Sequence, residues 1–264
     1  MGFGLVNSAM PSFILGYDGS FTGFLCAAAE AMNAARSGSP PPSIRSPAAP
    51  GELFDESIRI RSDRERAVRL WRRFTRLAGK NAMRSCLEAF CSDYPGKEDA
   101  IAYALGRMSR EGAGALCDLD NPSIGLVEKA ALRARNQAHL ISGLLRFSEL
   151  AGGSWYAVIA PDCDVLPLVA EHFSVRYSGM AFAIHDEGHR TALLHRPGAR
   201  WAIVYDVSLD KEGMFPLSER EISVREGWAE YFDSVAIAQR RNPRLQASHM
   251  PKKYWPFLPE TNQR

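Results

Sequence analysis

The chain has 264 residues, of which 46% are hydrophobic and 23% are charged, a composition typical of a folded globular protein with a buried core. Its formal net charge of +2 excludes a polycation that binds nucleic acid through bulk charge, so any such contact must come from local clusters of bases. No apolar run reaches the about 18 residues of a membrane-spanning helix, and the N-terminal segment lacks the basic start of a signal peptide.

The cysteines predict neither a disulfide framework nor a metal cluster. There are five of them, an odd number, and no Cys-x-x-Cys pair occurs. Because zinc and iron–sulfur sites take closely spaced cysteine ligands, we expect no metal and no other cofactor bound by this chain alone. Buried, reduced cysteines in the cytoplasm explain the pattern.

The first predicted elements are a strand, a turn and a capped helix. An apolar segment at 13–17 ends in Tyr17 and is followed by Asp18-Gly19, a common turn pair. Ser20 can then cap an alanine-rich helix by accepting a hydrogen bond from an amide of its first turn. Turn chemistry explains these residues, and a functional site at the turn is the alternative.

Prolines mark a long predicted loop after this helix. Residues 37–51 hold five prolines and no apolar periodicity, which is typical of a flexible, exposed segment. Nearer the N-terminus, both Met1 and Met10 are possible start sites.

A basic amphipathic helix is predicted from Asp63 to Lys80. Its apolar residues recur at spacings of three and four, while seven bases and only two acids occupy the other positions. A solvent-exposed helix face usually carries acids and bases in more equal numbers, so the excess of bases favours contact with DNA phosphates. The alternative is a helix face that is only solvated. The bases assigned to this contact are Arg66, Arg69, Arg73, Arg76 and Lys80.

The rest of the chain predicts helices followed by strands. Further helices are expected at 81–92, 97–111 and 122–142. The pattern then changes to strands at 144–150, 155–160, 182–185, 191–195 and 200–205, with helices at 165–173 and 219–240. Turns this short between strands favour antiparallel pairing. We therefore predict an α+β fold with a helical region at 1–143 and an antiparallel β-rich region at 144–264, which together form one compact unit.

Two groupings of acids and histidines are the candidates for chemistry. Asp162, Asp164 and His172 lie at a strand end and on the following helix, where they can hold a hard metal or transfer protons. His185 and Asp186 form the second grouping, followed by His189 in a hairpin turn. The alternative is that the acids cap local structure and the histidines pack nearby.

The segment NPRLQASHMPKKYWPFLPE at 242–260 combines aromatic rings, bases and four prolines. Because proline fixes φ and removes a hydrogen-bond donor, we predict an extended arm. Tyr254 and Trp255 are expected to pack into the fold, while the bases face outward towards DNA. These bases are Arg240, Arg241, Arg244, Lys252 and Lys253.

Several motifs in order give a resemblance that spans nearly the whole chain. They are YDGSFTGFL at 17–25, LLRF at 144–147, YAVIAPD at 156–162, DVLPL at 164–168, His172-Phe173, His185-Asp186, SVAI at 234–237, RNPRLQ at 241–246 and HMPKKYW at 249–255. In these motifs the chain resembles a bacterial family of DNA metabolism or repair proteins. Members of that family are typically encoded beside a radical SAM protein, and the same domain is fused elsewhere to a uracil-DNA glycosylase domain.

The resemblance implies work on DNA but offers no catalytic residue to carry over. We therefore expect a DNA-binding accessory protein that acts with the radical SAM enzyme. One alternative is an enzyme in its own right, of the hydrolase or glycosylase type, that uses the acid and histidine groupings. The other is a docking module whose aromatic tail binds the partner protein.

Overall fold

A computed structural model of the chain describes residues 13–46, 57–208, 216–235 and 242–259. The chain divides into a first unit, Met1–Arg133, and a second unit, Ala134–Arg264. Helices dominate the first unit and a mainly antiparallel sheet lies in the second, which confirms the predicted α+β class. The prediction that both regions form one unit stays a prediction.

The first unit contains a small parallel sheet in the order β2-β1-β3. Its strands are β1 (Ile14–Gly16), β2 (Ser43–Arg45) and β3 (Ser57–Arg59). Parallel neighbours need a crossover, and helix α1 (Phe21–Arg36) provides it between β1 and β2. Strand β2 lies inside the predicted loop 37–51, so that prediction was wrong for residues 43–45, and residues 47–51 lie outside the described ranges.

Helix α2 (Arg64–Phe90) contains the predicted basic helix and the helix predicted after it. Asp63 caps its N-terminus by accepting a hydrogen bond from the Arg66 amide. Gly79 interrupts the helix with φ 87° and ψ 164°, a conformation that is essentially restricted to glycine. The kink divides α2 into two segments close to the predicted boundary.

Aromatic rings join α1 to both segments of α2. The Phe21 ring lies 5.7 Å from Trp71 in the first segment and 5.0 Å from Phe90 in the second, measured between ring centroids. Phe24 is fully buried and lies 5.2 Å from Phe90. Burial of rings this large is a major source of core stability, and here it fixes α2 against α1.

Two further helices and a 3₁₀ helix follow α2. They are α3 (Lys97–Glu111), the 3₁₀ helix Gly112–Cys117, and α4 (Pro122–Leu144), which crosses from the first unit into the second. No helix in the described part of the chain has the length and apolar character needed to span a membrane.

The second unit is built on a five-stranded sheet in the order β4-β5-β6-β7-β8. Its elements are β4 (Ser148–Glu149), β5 (Trp155–Ile159), α5 (Leu166–Arg176), β6 (Phe182–Asp186), β7 (Thr191–His195) and β8 (Ala202–Val204). The expected antiparallel pairs at β4–β5, β6–β7 and β7–β8 are confirmed, whereas β5 and β6 pair in parallel. Helix α5 is the crossover that this parallel pair requires.

The described end of the chain is helical rather than extended. After α6 (Glu219–Val235), the chain forms α7 (Pro243–His249) and a C-terminal 3₁₀ helix at Lys252–Phe257. The prediction of an extended arm at 242–260 was therefore wrong for the described residues 242–259. Pro243 occupies the first turn of α7, where no amide donor is needed. Asn242 caps that turn because its side-chain oxygen accepts a hydrogen bond from the Leu245 amide.

The cysteines follow the prediction with one exception. Cys26, Cys86, Cys91 and Cys163 are buried, whereas Cys117 is exposed at the end of a 3₁₀ helix. Burial raises the pKa of the Cys86 thiol to about 12, so this residue stays protonated and packs as a small apolar group.

Candidate nucleic-acid interface

The first segment of α2 presents an exposed basic face. Arg72, Arg73, Arg76 and Lys80 are exposed and have no ion-pair partner among the residues that the structure describes. On the other side of the helix, Ala67, Phe74 and Ala78 are buried. The amphipathic packing thus holds these four cations towards solvent.

The predicted contact residues differ in their availability. Arg66 pairs with Glu30 at 2.6 Å and Arg69 pairs with Glu65 at 3.5 Å. These two cations already have carboxylate partners and contribute less net charge than predicted. Arg72 was not among the predicted contacts, although its position beside Arg73 in the basic run was the signal that could have found it.

The spacing of the exposed bases Arg72, Arg73 and Arg76 suits a row of phosphates. Residues three or four apart on a helix have Cβ atoms about 5–6 Å apart on the same side. Arg72 and Arg73 lie four and three residues before Arg76, so both follow this spacing. Lys80 comes directly after the Gly79 kink and continues the basic run.

The predicted turn motif is a structural device that holds the start of α2. Asp18 accepts hydrogen bonds from the Ser20 amide at 3.0 Å, the Ser20 hydroxyl at 2.6 Å and the Ser62 hydroxyl at 2.5 Å. Gly19 follows with φ 84°. A Cβ on Gly23 would lie 2.2 Å from the Asp18 carboxylate, so only glycine permits this approach.

Tyr17 completes the turn from inside the core. Its hydroxyl donates a hydrogen bond to Glu98 at 3.1 Å, and its side chain is buried. Burial, and then the nearby Glu98 carboxylate, raise the pKa of Tyr17 well above its ordinary value. The contacts of Tyr17 and Asp18 therefore connect secondary-structure elements, and Gly19 supplies the positive φ of the turn, as the turn interpretation predicts.

The parallel pair β5–β6 brings two acids of the first grouping, Asp162 and Asp164, to the edge of the sheet where the second grouping lies. The Glu187 amide, just after β6, donates to the Ile159 carbonyl at the end of β5 at 3.0 Å. Asp162 and Asp164 follow β5 on the same edge, as the carboxyl ends of parallel strands must. Asp162 accepts hydrogen bonds from Gln137 at 2.8 Å and Lys253 at 2.7 Å.

Asp186 and His185 have separate surroundings, because adjacent residues of a strand point to opposite faces. The buried Asp186 accepts from the Gly188 and His189 amides at 3.0 and 3.2 Å, and its other oxygen lies 2.8 Å from His189 Nδ1. These contacts close the β6–β7 turn. His185 Nδ1 lies instead 3.0 Å from the Tyr156 hydroxyl.

His172 is not part of this edge. It is exposed on α5, near the end of the helix that runs back towards the start of β6, and it lines a cavity with Trp155 and Met180. The five predicted catalytic residues therefore do not form one constellation. Within the described ranges, no group of three or more His, Cys, Asp or Glu side chains is arranged to hold a metal ion.

The C-terminal 3₁₀ helix places one ring in the core and its bases outside. Tyr254 is buried, as predicted, and the helix contacts β5, whereas Trp255 is only half-buried. Lys252 is exposed above the Trp255 ring, with Nζ 5.8 Å from the ring centroid, and Lys253 reaches Asp162. Arg244 is exposed on α7, while Arg240 and Arg241 lie outside the described residues.

The fold and this surface define a two-unit α+β protein with an exposed basic helix. A family model described as a domain of unknown function, DUF4130, matches residues 95–260, which is more than half of the chain. The chain belongs to this family. No curated protein and no solved structure matches the chain.

Proposed function

We propose that the protein is a DNA-binding accessory component of a base-modification or repair system and works with a radical SAM enzyme. The observation that carries the proposal is a group of exposed cations on one helix that have no ion-pair partner in the described part of the chain, namely Arg72, Arg73, Arg76 and Lys80. Because the whole chain carries only +2, this concentration of charge is local.

Cations without carboxylate partners are the ones that phosphates can use. An arginine already paired with a carboxylate must exchange one partner for another, whereas an unpaired one gains the full phosphate contact. Each phosphate contact releases condensed counterions and adds about 0.9 to the salt slope of duplex binding. Four contacts would therefore give a steep salt dependence.

The partner assignment rests on the resemblance to the family of DNA metabolism or repair proteins. In that family the domain occurs next to a radical SAM protein or fused to a uracil-DNA glycosylase domain, so it is associated with enzymes that act on DNA bases. In the proposal, the partner enzyme performs the reaction and this chain holds the DNA. Enzymatic activity of this chain ranks second, because His172 lies away from the other candidate residues.

Fluorescence anisotropy with a labelled duplex, measured over a series of salt concentrations, tests the proposal. A variant with all four cations of the α2 face changed to Gln should bind more weakly and lose up to about 3.6 from the salt slope. A control variant removes the same charge from exposed bases elsewhere, namely Arg110, Lys129, Arg196 and Arg200. Equal binding by wild type and the α2 variant would contradict the proposed role of this face.

The partner part of the proposal needs a separate experiment. Co-expression with a radical SAM protein encoded beside a member of this family, followed by a pull-down on damaged and undamaged DNA, should recover both proteins on DNA. Recovery of the radical SAM protein without this chain would contradict an accessory role.

A further inference from the structure

Three adjoining cavities in the second unit form one groove around Arg146. Their volumes are about 870, 430 and 240 Å³. The two largest share Arg146, Phe147 and Trp155, and the two smallest share Arg146, Arg225 and Pro259. Because neighbouring cavities share walls, we treat them as one surface, the Arg146 groove. The two larger volumes are within the usual range of ligand-binding sites.

Aromatic rings line much of the Arg146 groove. The Phe147 ring lies 5.9 Å from Phe173 and 5.3 Å from Tyr177, and the Phe173 and Tyr177 rings are stacked at 6.2 Å. Trp155 is half-buried, and Trp228 is 46% exposed where it lines the groove. The cavity wall therefore combines a cluster of packed rings with tryptophan ring faces that solvent can reach. A flat ligand needs this arrangement in order to stack.

The charge of the groove is positive. Glu221 is neutralised by Arg225 at 2.8 Å and also accepts a hydrogen bond from the Glu149 amide. Arg176 and Arg220 are exposed and have no carboxylate partner within the described ranges. The charged residues along the walls are Arg146, Arg176, Arg220 and Arg225 against Glu149 and Glu221.

We propose that the Arg146 groove binds single-stranded nucleic acid. Bases would stack on Trp228 and Trp155, and phosphates would contact Arg220 and Arg176. Sites for single strands combine a positive groove with aromatic side chains, and they tolerate any sequence because every base has a π face. A duplex cannot use such a site, since its bases are already stacked on each other.

This groove is separate from the basic face of α2 that carries the proposed function. It belongs to the second unit, and its lining residues lie inside the matched range 95–260, whereas the α2 bases lie before that range. The two surfaces can therefore be tested independently. The proposal adds a preference for single strands to the duplex contact proposed for α2.

The test uses the full chain and a labelled oligothymidylate of about 15 nucleotides, within the range of known site sizes. Trp228→Ala should weaken binding by roughly fivefold to a hundredfold, because it removes one stacking platform. Trp228→Phe should retain most of the affinity, since it keeps a ring. Arg220→Gln should lower the salt slope by about 0.7, the value for one phosphate contact on a single strand.

Matched controls come from the same unit. Tyr205→Ala removes an exposed ring, and Arg196→Gln removes an exposed cation, at positions that do not line the three cavities. Both control variants should bind the oligothymidylate like wild type. Because Trp228 and Arg220 are exposed, their variants should also melt like wild type.

Two results would overturn the groove proposal while leaving duplex binding by α2 intact. One is unchanged oligothymidylate binding by both Trp228→Ala and Arg220→Gln. The other is a groove variant, Trp228→Ala or Arg220→Gln, that binds the oligothymidylate normally but no longer recovers the radical SAM protein in pull-downs. This result would make the groove a protein-docking surface. Conversely, loss of duplex binding in the α2 variant with normal single-strand binding would support both sites. Undetectable binding of the oligothymidylate by wild type at low salt would reject the groove proposal, and undetectable binding of the duplex would reject the proposal for α2.

Discussion

Asp18 shows how one side chain positions the start of the basic helix. Its carboxylate joins the β1–α1 turn to Ser62, which lies next to the α2 cap at Asp63. Partial burial disfavours ionisation, but hydrogen bonds from Ser20 and Ser62 outweigh it and hold the pKa of Asp18 below its usual value. The ionised form is therefore the one that the folded chain prefers.

Asp18→Asn should lower the free energy of unfolding at neutral pH by about 1–2 kcal/mol, since hydrogen bonds to a charged acceptor are lost and solvent screening reduces their value. Because the folded pKa is depressed, the stabilisation is present above the unfolded pKa of about 3.9 and disappears as the pH falls through the folded value. Urea unfolding of both chains between neutral and acidic pH measures this difference.

Asp120→Asn provides the control for this measurement, because Asp120 is an exposed acid of the same unit. It should change stability by less than about 0.5 kcal/mol at any pH. A constant difference between wild type and Asp18→Asn down to acidic pH would show that shape, not charge, is what the turn requires.

At the scale of elements, the kink at Gly79 decides where the basic face ends. Gly79→Ala should destabilise the fold by about 1–3 kcal/mol, because a Cβ is strained at φ 87° and ψ 164° even though no atom lies within 4 Å of it. Thermal and urea unfolding monitored by circular dichroism measure the effect.

Gly143→Ala, in α4, is the matched comparison because it also has open space around it but lies in regular helix. It should stabilise the chain by about 0.5–1 kcal/mol. If both variants shifted stability in the same direction, the glycine conformation at residue 79 would not be the cause.

Sequence patterns predicted best those elements in which the apolar residues recur regularly over many positions. The bounds of α3 agree with the predicted 97–111, because apolar spacing and a preceding Pro-Gly turn both mark that helix. Strands β2 and β3 have only three residues each, too short to show alternation, so their pairing with β1 depends on tertiary contacts. In α7, Pro243 occupies the first turn, where proline is favoured, whereas Pro256 lies inside the C-terminal 3₁₀ helix. The number of prolines alone could not reveal either helix.

Across the whole molecule, the sequence showed where the basic residues lie, but it did not show which of them are already paired with carboxylates. The run of bases in α2 was visible, but the Arg66–Glu30 pair joins residues that are 36 positions apart and needs the fold to form. The Arg146 groove was not predicted, because its walls come from α4, α5, α6 and the first strands of the sheet. The β5–β6 parallel pair and the α5 crossover bring the rings of α5 to Phe147, and the contacts of α6 with β4 bring Trp228 to the same groove.

The C-terminal segment tests whether the tail belongs to the fold or serves as a docking arm. Tyr254 and Leu258 are 2% and 1% exposed, and burial of two such side chains contributes about 3–6 kcal/mol. A chain that ends at residue 241 should therefore unfold at lower urea concentration and aggregate more readily than wild type. The Lys253–Asp162 pair is partly exposed and adds at most about 1 kcal/mol to this loss.

A chain that ends at residue 259 keeps these contacts and is the control, with unfolding expected close to wild type. The opposite result for the shorter chain would be wild-type stability together with loss of the radical SAM protein in pull-downs. That outcome would assign the segment to partner binding. Because Tyr254 and Leu258 are buried in this chain without any partner present, we expect the loss of stability instead.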